Sequence, residues 1–152
     1  MKNTTLAQSY LIKARLLLRL LSALLEAGGY SDVVREAQEI VELALKGMLR
    51  QVGVEPSKWH DVGPFLLEHR SRFPADVVLE LETLAEISRW LRREREFAFY
   101  GEVDLIPTEQ YTRQDAERAL ADARKVVQVA SQLIPLPGKS YAPPLPQPVL
   151  SP

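Results

Sequence analysis

The side chains best suited to chemistry in this sequence are concentrated in residues 89–100, which read RWLRREREFAFY. Arginine guanidinium groups suit phosphate or carboxylate partners, and aromatic rings stack on nucleotide bases. At a spacing of three to four residues, Arg89, Arg92 (or Arg93) and Glu96 form a ladder along one helix face. One interpretation of the segment is a phosphate- or nucleotide-binding face. The alternative is that its aromatic rings complete the core while its glutamates neutralise the arginines.

No other group of residues has the spacing of a known catalytic or metal-binding motif. The sequence contains no cysteine, which excludes thiolate catalysis and cysteine-bound zinc. The two histidines, His60 and His69, lie nine residues apart, a spacing at which they do not share a metal on one helix face. We find neither a glycine-rich phosphate loop nor a nucleophile elbow. We therefore expect no catalytic residue, no metal and no cofactor.

Two groups of glutamates could in principle supply paired carboxylates. Di-iron bundles use inward Glu-x-x-His motifs, and the sequence has none. Because the glutamates fall on the polar sides of their predicted helices, we expect them to be solvated. They are Glu36, Glu39 and Glu42 on one helix and Glu80, Glu82 and Glu86 on another.

The bulk composition is that of one globular domain. The chain has 152 residues, of which 46% are hydrophobic and 26% charged, and its net charge of −1 gives no global positive field. The apolar stretch at residues 16–25 is interrupted by Arg19 and is too short to span a bilayer. No signal-peptide pattern is present near Met1, so we expect a soluble, cytoplasmic protein with no membrane contact.

Apolar residues recur at three- and four-residue spacing and predict four long amphipathic helices and a short one. We expect Asn3 or Thr4 to cap the first helix and Ser31 to open the second. Thr112 and Asp115 have the spacing of a capping box. The long helices are predicted at about residues 4–27, 31–52, 74–100 and 112–134, and the short one at 64–70.

The loops between these helices are short, so the predicted fold is an all-α, antiparallel up-and-down bundle over residues 1–134. Gly28 and Gly29 supply the left-handed positions that end the first helix, and Gly53 ends the second. Leu16 and Leu20 widen the apolar face of the first helix beyond one stripe. We therefore expect this helix to be covered by the bundle and also by a second subunit.

The composition changes abruptly after Ile134. Seven of the 11 prolines lie in residues 135–152, so this tail is predicted to be extended and largely polyproline II. Its Tyr141-Ala-Pro-Pro-Leu-Pro-Gln-Pro run suits an aromatic-lined groove on a partner. A strap across its own bundle or a neighbouring subunit is the other interpretation.

Three stretches give the chain its resemblance to a known family. The second helix contains Ala37-Gln38-Glu39 and Glu42-Leu43-Ala44-Leu45-Lys46, the connector reads Trp59-His60-Asp61, and a third stretch begins at Arg92 and extends through Tyr111 to Ala123. In order and spacing they resemble the HEPN domain family (higher eukaryotes and prokaryotes nucleotide-binding) over about residues 5–134. The resemblance implies a helical bundle that commonly forms a homodimer and often works beside a minimal nucleotidyltransferase.

The resemblance also indicates which sequence motif a ribonuclease of this family would carry. Many family members are metal-independent ribonucleases that carry an R-x4–6-H motif. No histidine follows the arginines of residues 89–95, and Arg95-x4-Tyr100 is the nearest match. Tyrosine titrates near pH ~10 and is a poor general base at neutral pH.

The resemblance thus places a phosphate- or nucleotide-binding cleft at Lys46, Arg92, Arg95 and Tyr100, with residues 59–61 as a structural connector. Three functions stay open at this point. The first is a non-catalytic, dimeric module that binds nucleotide or RNA, partnered with a small nucleotidyltransferase. The second is a ribonuclease toxin of a toxin–antitoxin pair with a degenerate motif. The third is a structural adaptor that docks through its proline-rich tail.

Overall fold

The fold is described from a computed structural model, which gives residues 5–56, 58, 61–100 and 111–136, with the backbone alone for 95–100. Helices and turns make up these residues, and no strand occurs among them. The prediction of an all-α fold is confirmed for this part of the chain. Most of the predicted tail, residues 137–152, lies outside it. The long helices are α1 (Leu6–Glu26), α2 (Tyr30–Gln51), α5 (Leu81–Tyr100) and α6 (Arg113–Leu133), and the short ones are α3 (Val62–Glu68) and α4 (Ala75–Val78).

Local capping explains where three of the long helices begin. The predicted capping box at Thr112 and Asp115 is present at the start of α6. The cap of α1 is Thr5, so the prediction that Asn3 or Thr4 caps this helix was wrong. Thr5 forms a second capping box: its hydroxyl accepts from the Gln8 amide at 3.1 Å, and the Gln8 side chain accepts from the Thr5 amide at 2.9 Å. For α2 the cap is Gly29, so the prediction that Ser31 opens this helix was wrong. Ser31 lies in the first turn and is buried.

The predicted fourth helix is divided into α4 and α5. The amide of Glu80 donates to the carbonyl of Val77, three residues back, and this tightens the chain between the two helices. Val77 and Leu81 are buried on the two sides of the break, whereas Leu79 is 83% exposed. Because apolar residues continue across the break at helical spacing, periodicity alone could not locate it. The short helix α3 also begins earlier than predicted, at Val62, and a 3-10 turn follows it at residues 70–72.

Helix α2 lies at the centre of the core and contacts α1, α3, α5 and α6. At Gly47 a Cβ would lie 3.2 Å from the carbonyl oxygen of Ala7 and 3.3 Å from Cδ1 of Ile134. Glycine therefore lets the start of α1 and the end of α6 approach α2 closely. Helices α1 and α6 meet with opposite ends together, because Gln8 donates to the carbonyl of Pro135 and Arg113 pairs with Glu26 at 3.1 Å.

Tyr111 joins the start of α6 to α5. Its ring is buried, and its hydroxyl donates to the backbone carbonyl and to the carboxylate of Glu94 at 2.9 and 3.0 Å. Burial makes the largest contribution to the pKa of Tyr111, and the hydrogen bond and charge of Glu94 add to it, so that this pKa lies well above its usual range.

Among the residues that the structure describes, no helix is both long and apolar enough to cross a membrane.

We expect Tyr111→Phe to lower the free energy of unfolding by about 1–2 kcal/mol at neutral pH, because the hydrogen bonds to Glu94 are lost. Because the pKa of Tyr111 is higher in the folded state than in the unfolded state, the protonated hydroxyl contributes stability at pH values below the unfolded-state pKa of about 10. This contribution is lost as the pH rises above that value. The difference between wild type and variant should therefore shrink from pH 7 to pH 11. Urea denaturation at the two pH values measures it, and a difference that stays constant would contradict this account.

Candidate functional site

The site is built where α5 crosses the middle of α2. Arg92 of α5 places Nη1 at 3.3 Å from both carboxylate oxygens of Glu42 on α2. The Arg92 side chain is 42% exposed and that of Glu42 is 19% exposed. Arg92, which the sequence indicated as a phosphate-binding residue, is thus held at a helix–helix contact while part of it faces solvent.

Three side chains surround the carboxylate of Glu42: two donate hydrogen bonds to it and the third forms an ion pair with it. In addition to Arg92, Gln38 donates through Nε2 to Oε1 at 2.9 Å, and Lys46 places Nζ 3.6 Å from Oε2. Gln38 is buried and lies one helical turn before Glu42, and Lys46 lies one turn after it. The structure therefore brings together Lys46 and Arg92, the two predicted cations whose side chains it describes, at one carboxylate.

The prediction that Glu42 belongs to a solvated face was wrong. The pattern of α2 correctly places Glu42 on its polar side, but α5 covers that side at this turn. The sequence signal that was available is the spacing of Gln38, Glu42 and Lys46, each four residues apart, which predicts contact along one helix. The contact of Glu42 with Arg92 of α5 depends on how the two helices pack, so it could not be predicted from the sequence of α2 alone.

Asp61 lies on the other side of Arg92. Its Oδ1 atom accepts from the amide of Gly63 at 3.3 Å and so caps α3, and it lies 4.0 Å from Nε of Arg92. A Cβ at Gly63 would lie 3.1 Å from the carbonyl oxygen of Ala85, so α3 packs closely against α5. This contact holds the cap of α3 near Arg92. We call Gln38, Glu42, Lys46, Asp61 and Arg92 the α2–α5 cluster.

Four predicted site residues cannot be added to the α2–α5 cluster. Trp59 and His60 of the connector lie outside the described residues, as do the side chains of Arg95 and Tyr100. The backbone of α5 continues as a helix through Tyr100, so Arg95 follows Arg92 by about one turn. The helical backbone thus keeps Arg92 and Arg95 about one turn apart, which is the spacing that suggested a shared cleft.

The cluster combines cations with carboxylates and holds no imidazole among its described members. Two cations and two carboxylates lie within 4.0 Å of a partner of opposite charge. His69 lies elsewhere, at the end of α3, where its Nδ1 is 3.0 Å from the carbonyl oxygen of Phe65 and its ring contacts the Phe65 ring. Such a cluster can bind an anion through Arg92 and Lys46.

Metal binding finds no support in the part of the chain that the structure describes. Within it, no three histidine or acidic side chains are close enough together to hold a metal ion. The charged groups of the α2–α5 cluster are instead ion-paired or hydrogen-bonded to one another.

Comparison with known proteins identifies the family. The family model for the HEPN domain matches residues 7–133, which extend from the start of α1 to the end of α6 and include the whole α2–α5 cluster. Neither the curated proteins nor the solved structures gave a significant match. Because the family model covers most of the chain, the resemblance seen in the sequence is confirmed: the chain belongs to the HEPN domain family.

Proposed function

We propose that this protein is a non-catalytic HEPN module that binds nucleotide or RNA through a phosphate group at the α2–α5 cluster. The observation that carries the proposal is the position of Arg92, which is 42% exposed and already holds an anionic group together with Lys46 of another helix. A guanidinium group binds carboxylate and phosphate with the same donors. Arg95, one turn further along α5, and Tyr100 extend this site in the proposal.

The absence of catalysis is proposed from the residue types. The chain lacks the histidine of the R-x4–6-H motif. His69 has its ring at the Phe65 carbonyl and is not a member of the α2–α5 cluster. Among the described residues, the α2–α5 cluster has an arginine that can hold a phosphate and no imidazole that could act as acid or base near neutral pH. The ribonuclease alternative therefore needs a base of another type.

We further propose that α1, α2, α5 and α6 form an antiparallel up-and-down bundle over residues 1–134, followed by a separate tail at 135–152. The contacts of Gln8 with Pro135 and of Arg113 with Glu26 support the alternating direction of α1 and α6. The end of α6 is marked by Ile134, which is buried. The proline content supports an extended chain after it.

A homodimer is the proposed assembly. Leu16 and Leu20 on α1 are 53% and 65% exposed, although both are large apolar residues. Beside them, a groove of about 580 Å³ between α1 and α2 includes Leu17, Leu24 and Asp32 in its lining. An apolar face of this kind supports contact with a second copy of the chain. A minimal nucleotidyltransferase is proposed as a further partner in the cytoplasm, on the basis of family membership.

We expect Arg92→Ala to weaken the binding of ATP, GTP or a short RNA by about tenfold or more, because a charge-assisted contact is removed. Arg124→Ala is the matched control, since Arg124 is also exposed but lies on α6, where it contacts Ser22. Isothermal titration of wild type and both variants measures the effect.

Two results would contradict this function. Equal affinities of wild type and the Arg92→Ala variant would remove Arg92 from the binding site. A labelled RNA that is cleaved by wild type but left intact by Arg92→Ala or Arg95→Ala would favour the ribonuclease alternative. We expect the RNA to stay intact with all three proteins.

A further inference from the structure

We infer that Glu42 competes with ligands for the anion site, so that the site selects phosphomonoester groups over the internal phosphodiesters of RNA. This inference rests on the proposed function, because it assumes that the ligand binds at Arg92. It adds the chemical class of the ligand and the residue that determines it. The phosphomonoester could belong to a free nucleotide or to a phosphorylated RNA end.

The geometry shows what a ligand has to displace. The two oxygens of Glu42 accept Arg92 Nη1 at 3.3 Å each, Gln38 Nε2 at 2.9 Å and the charge of Lys46 Nζ at 3.6 Å. A phosphate that binds to the same edge of Arg92 needs the same donors. The Glu42 side chain is 19% exposed, so it lies at the edge of the helix contact and not in the sealed core. Binding at this edge is therefore an exchange of one anion for another.

The charge of the incoming group decides this exchange. An internal phosphodiester carries one negative charge, as Glu42 does, so replacing the carboxylate adds no net attraction to Arg92 and Lys46. A phosphomonoester carries a charge of about −1.5 to −2 at pH 7 and has three terminal oxygens. It therefore attracts the two cations more strongly than Glu42 does and offers more acceptors for Gln38.

Asp61 limits the preference but does not reverse it. Its carboxylate lies 4.0 Å from Nε of Arg92 and stays in place because it caps α3 through Gly63. It repels the more highly charged monoester more strongly than a diester, but the two cations of the cluster outnumber it once Glu42 has moved away, so the net attraction still favours the monoester. Arg92 Nη1 and Lys46 both point to Glu42, so the exchange takes place on the side of Arg92 that faces α2.

Glu42 could instead be a positioning residue that keeps Arg92 in place for the ligand. The two roles predict opposite signs for its removal. A competitor raises ligand affinity when it is neutralised, whereas a positioning residue lowers it. Glu42→Gln separates the roles because glutamine keeps the length of the side chain and one oxygen acceptor for Gln38 and Arg92.

The experiment compares one short RNA carrying a 5′-phosphate with the same RNA carrying a 5′-hydroxyl, by fluorescence anisotropy. Wild type should bind the phosphorylated RNA about three- to tenfold more tightly, the range expected for one additional partly exposed charge contact. Glu42→Gln should bind both RNAs more tightly, gain most for the 5′-hydroxyl form, and so show a smaller preference. Glu36→Gln is the matched control, because Glu36 is on the same helix but pairs with Arg35 at 3.1 Å.

Competition with AMP and with adenosine distinguishes the two sources of the phosphomonoester. Displacement by AMP alone assigns the preference to free nucleotides, and displacement only by phosphorylated RNA assigns it to RNA ends. Equal affinity of wild type for the two RNAs, or weaker binding by Glu42→Gln, would overturn the inference while leaving the proposed function in place. If none of the proteins binds any of these ligands, the proposed function itself is wrong.

Discussion

Replacing Leu45 with alanine is expected to lower the free energy of unfolding by about 2–5 kcal/mol, whereas Leu79→Ala should change it by less than about 0.5 kcal/mol. Leu45 is 0% exposed and lies on α2, the helix that contacts α1, α3, α5 and α6. Removing its side chain leaves a cavity among several helices at once. Leu79 is 83% exposed and lies in the break between α4 and α5, so its removal leaves no cavity.

Urea denaturation followed by circular dichroism measures both variants at one protein concentration, because the stability of a dimer depends on concentration. The comparison tests the packing of α2 and the break after α4 together. If the two variants lose the same stability, then Leu79 is buried in solution or α2 is not the central helix.

The double substitution Leu16→Glu with Leu20→Glu is expected to convert the proposed homodimer into a monomer. Two carboxylates would have to be buried in an apolar interface without partners, and this is far less favourable than leaving them in water. Both leucines are more than half exposed in the single chain, so the fold of the monomer should be unaffected. Sedimentation velocity should give the wild type about twice the mass of the variant.

Leu79→Glu is the matched control for this experiment, because it adds a charge at an exposed leucine that does not line the groove between α1 and α2. It should sediment as the wild type does. A wild type that is monomeric at all concentrations would rule out the proposed assembly. A dimer that persists in the double variant would place its interface on another surface.

Much of the helical structure is determined by interactions between residues that are close in the sequence. Thr112 and Asp115 are three residues apart and form their capping box without help from distant parts of the chain. Gly28 has φ of +84° after α1, as predicted, whereas Gly29, for which a left-handed position was also predicted, has φ of −83°. Gly53, which was predicted to end α2, follows that helix with φ of +84°. Helix periodicity and side-chain caps depend mainly on neighbours within about four residues, so a single sequence predicts the long helices and some of their ends.

The break between α4 and α5 was not predictable in this way. Val77 and Leu81 both reach the core, and their spacing fits one continuous helix as well as two helices. Whether Leu79 is covered depends on which elements pack nearby, and these come from other parts of the chain. The same residue type is therefore fully buried at position 45 and almost fully exposed at position 79.

Some features of the candidate site also follow from local sequence, whereas others depend on the tertiary structure. The sequence by itself determined that Lys46 lies one turn after Glu42 and that Arg92 belongs to a helix rich in arginine. Only the tertiary structure decided that Arg92 reaches Glu42, a residue 50 positions earlier, and that α5 covers the polar side of α2 at that turn. The physical reason is that periodicity fixes which side of a helix is polar, whereas the partner that meets that side is fixed by how whole helices pack.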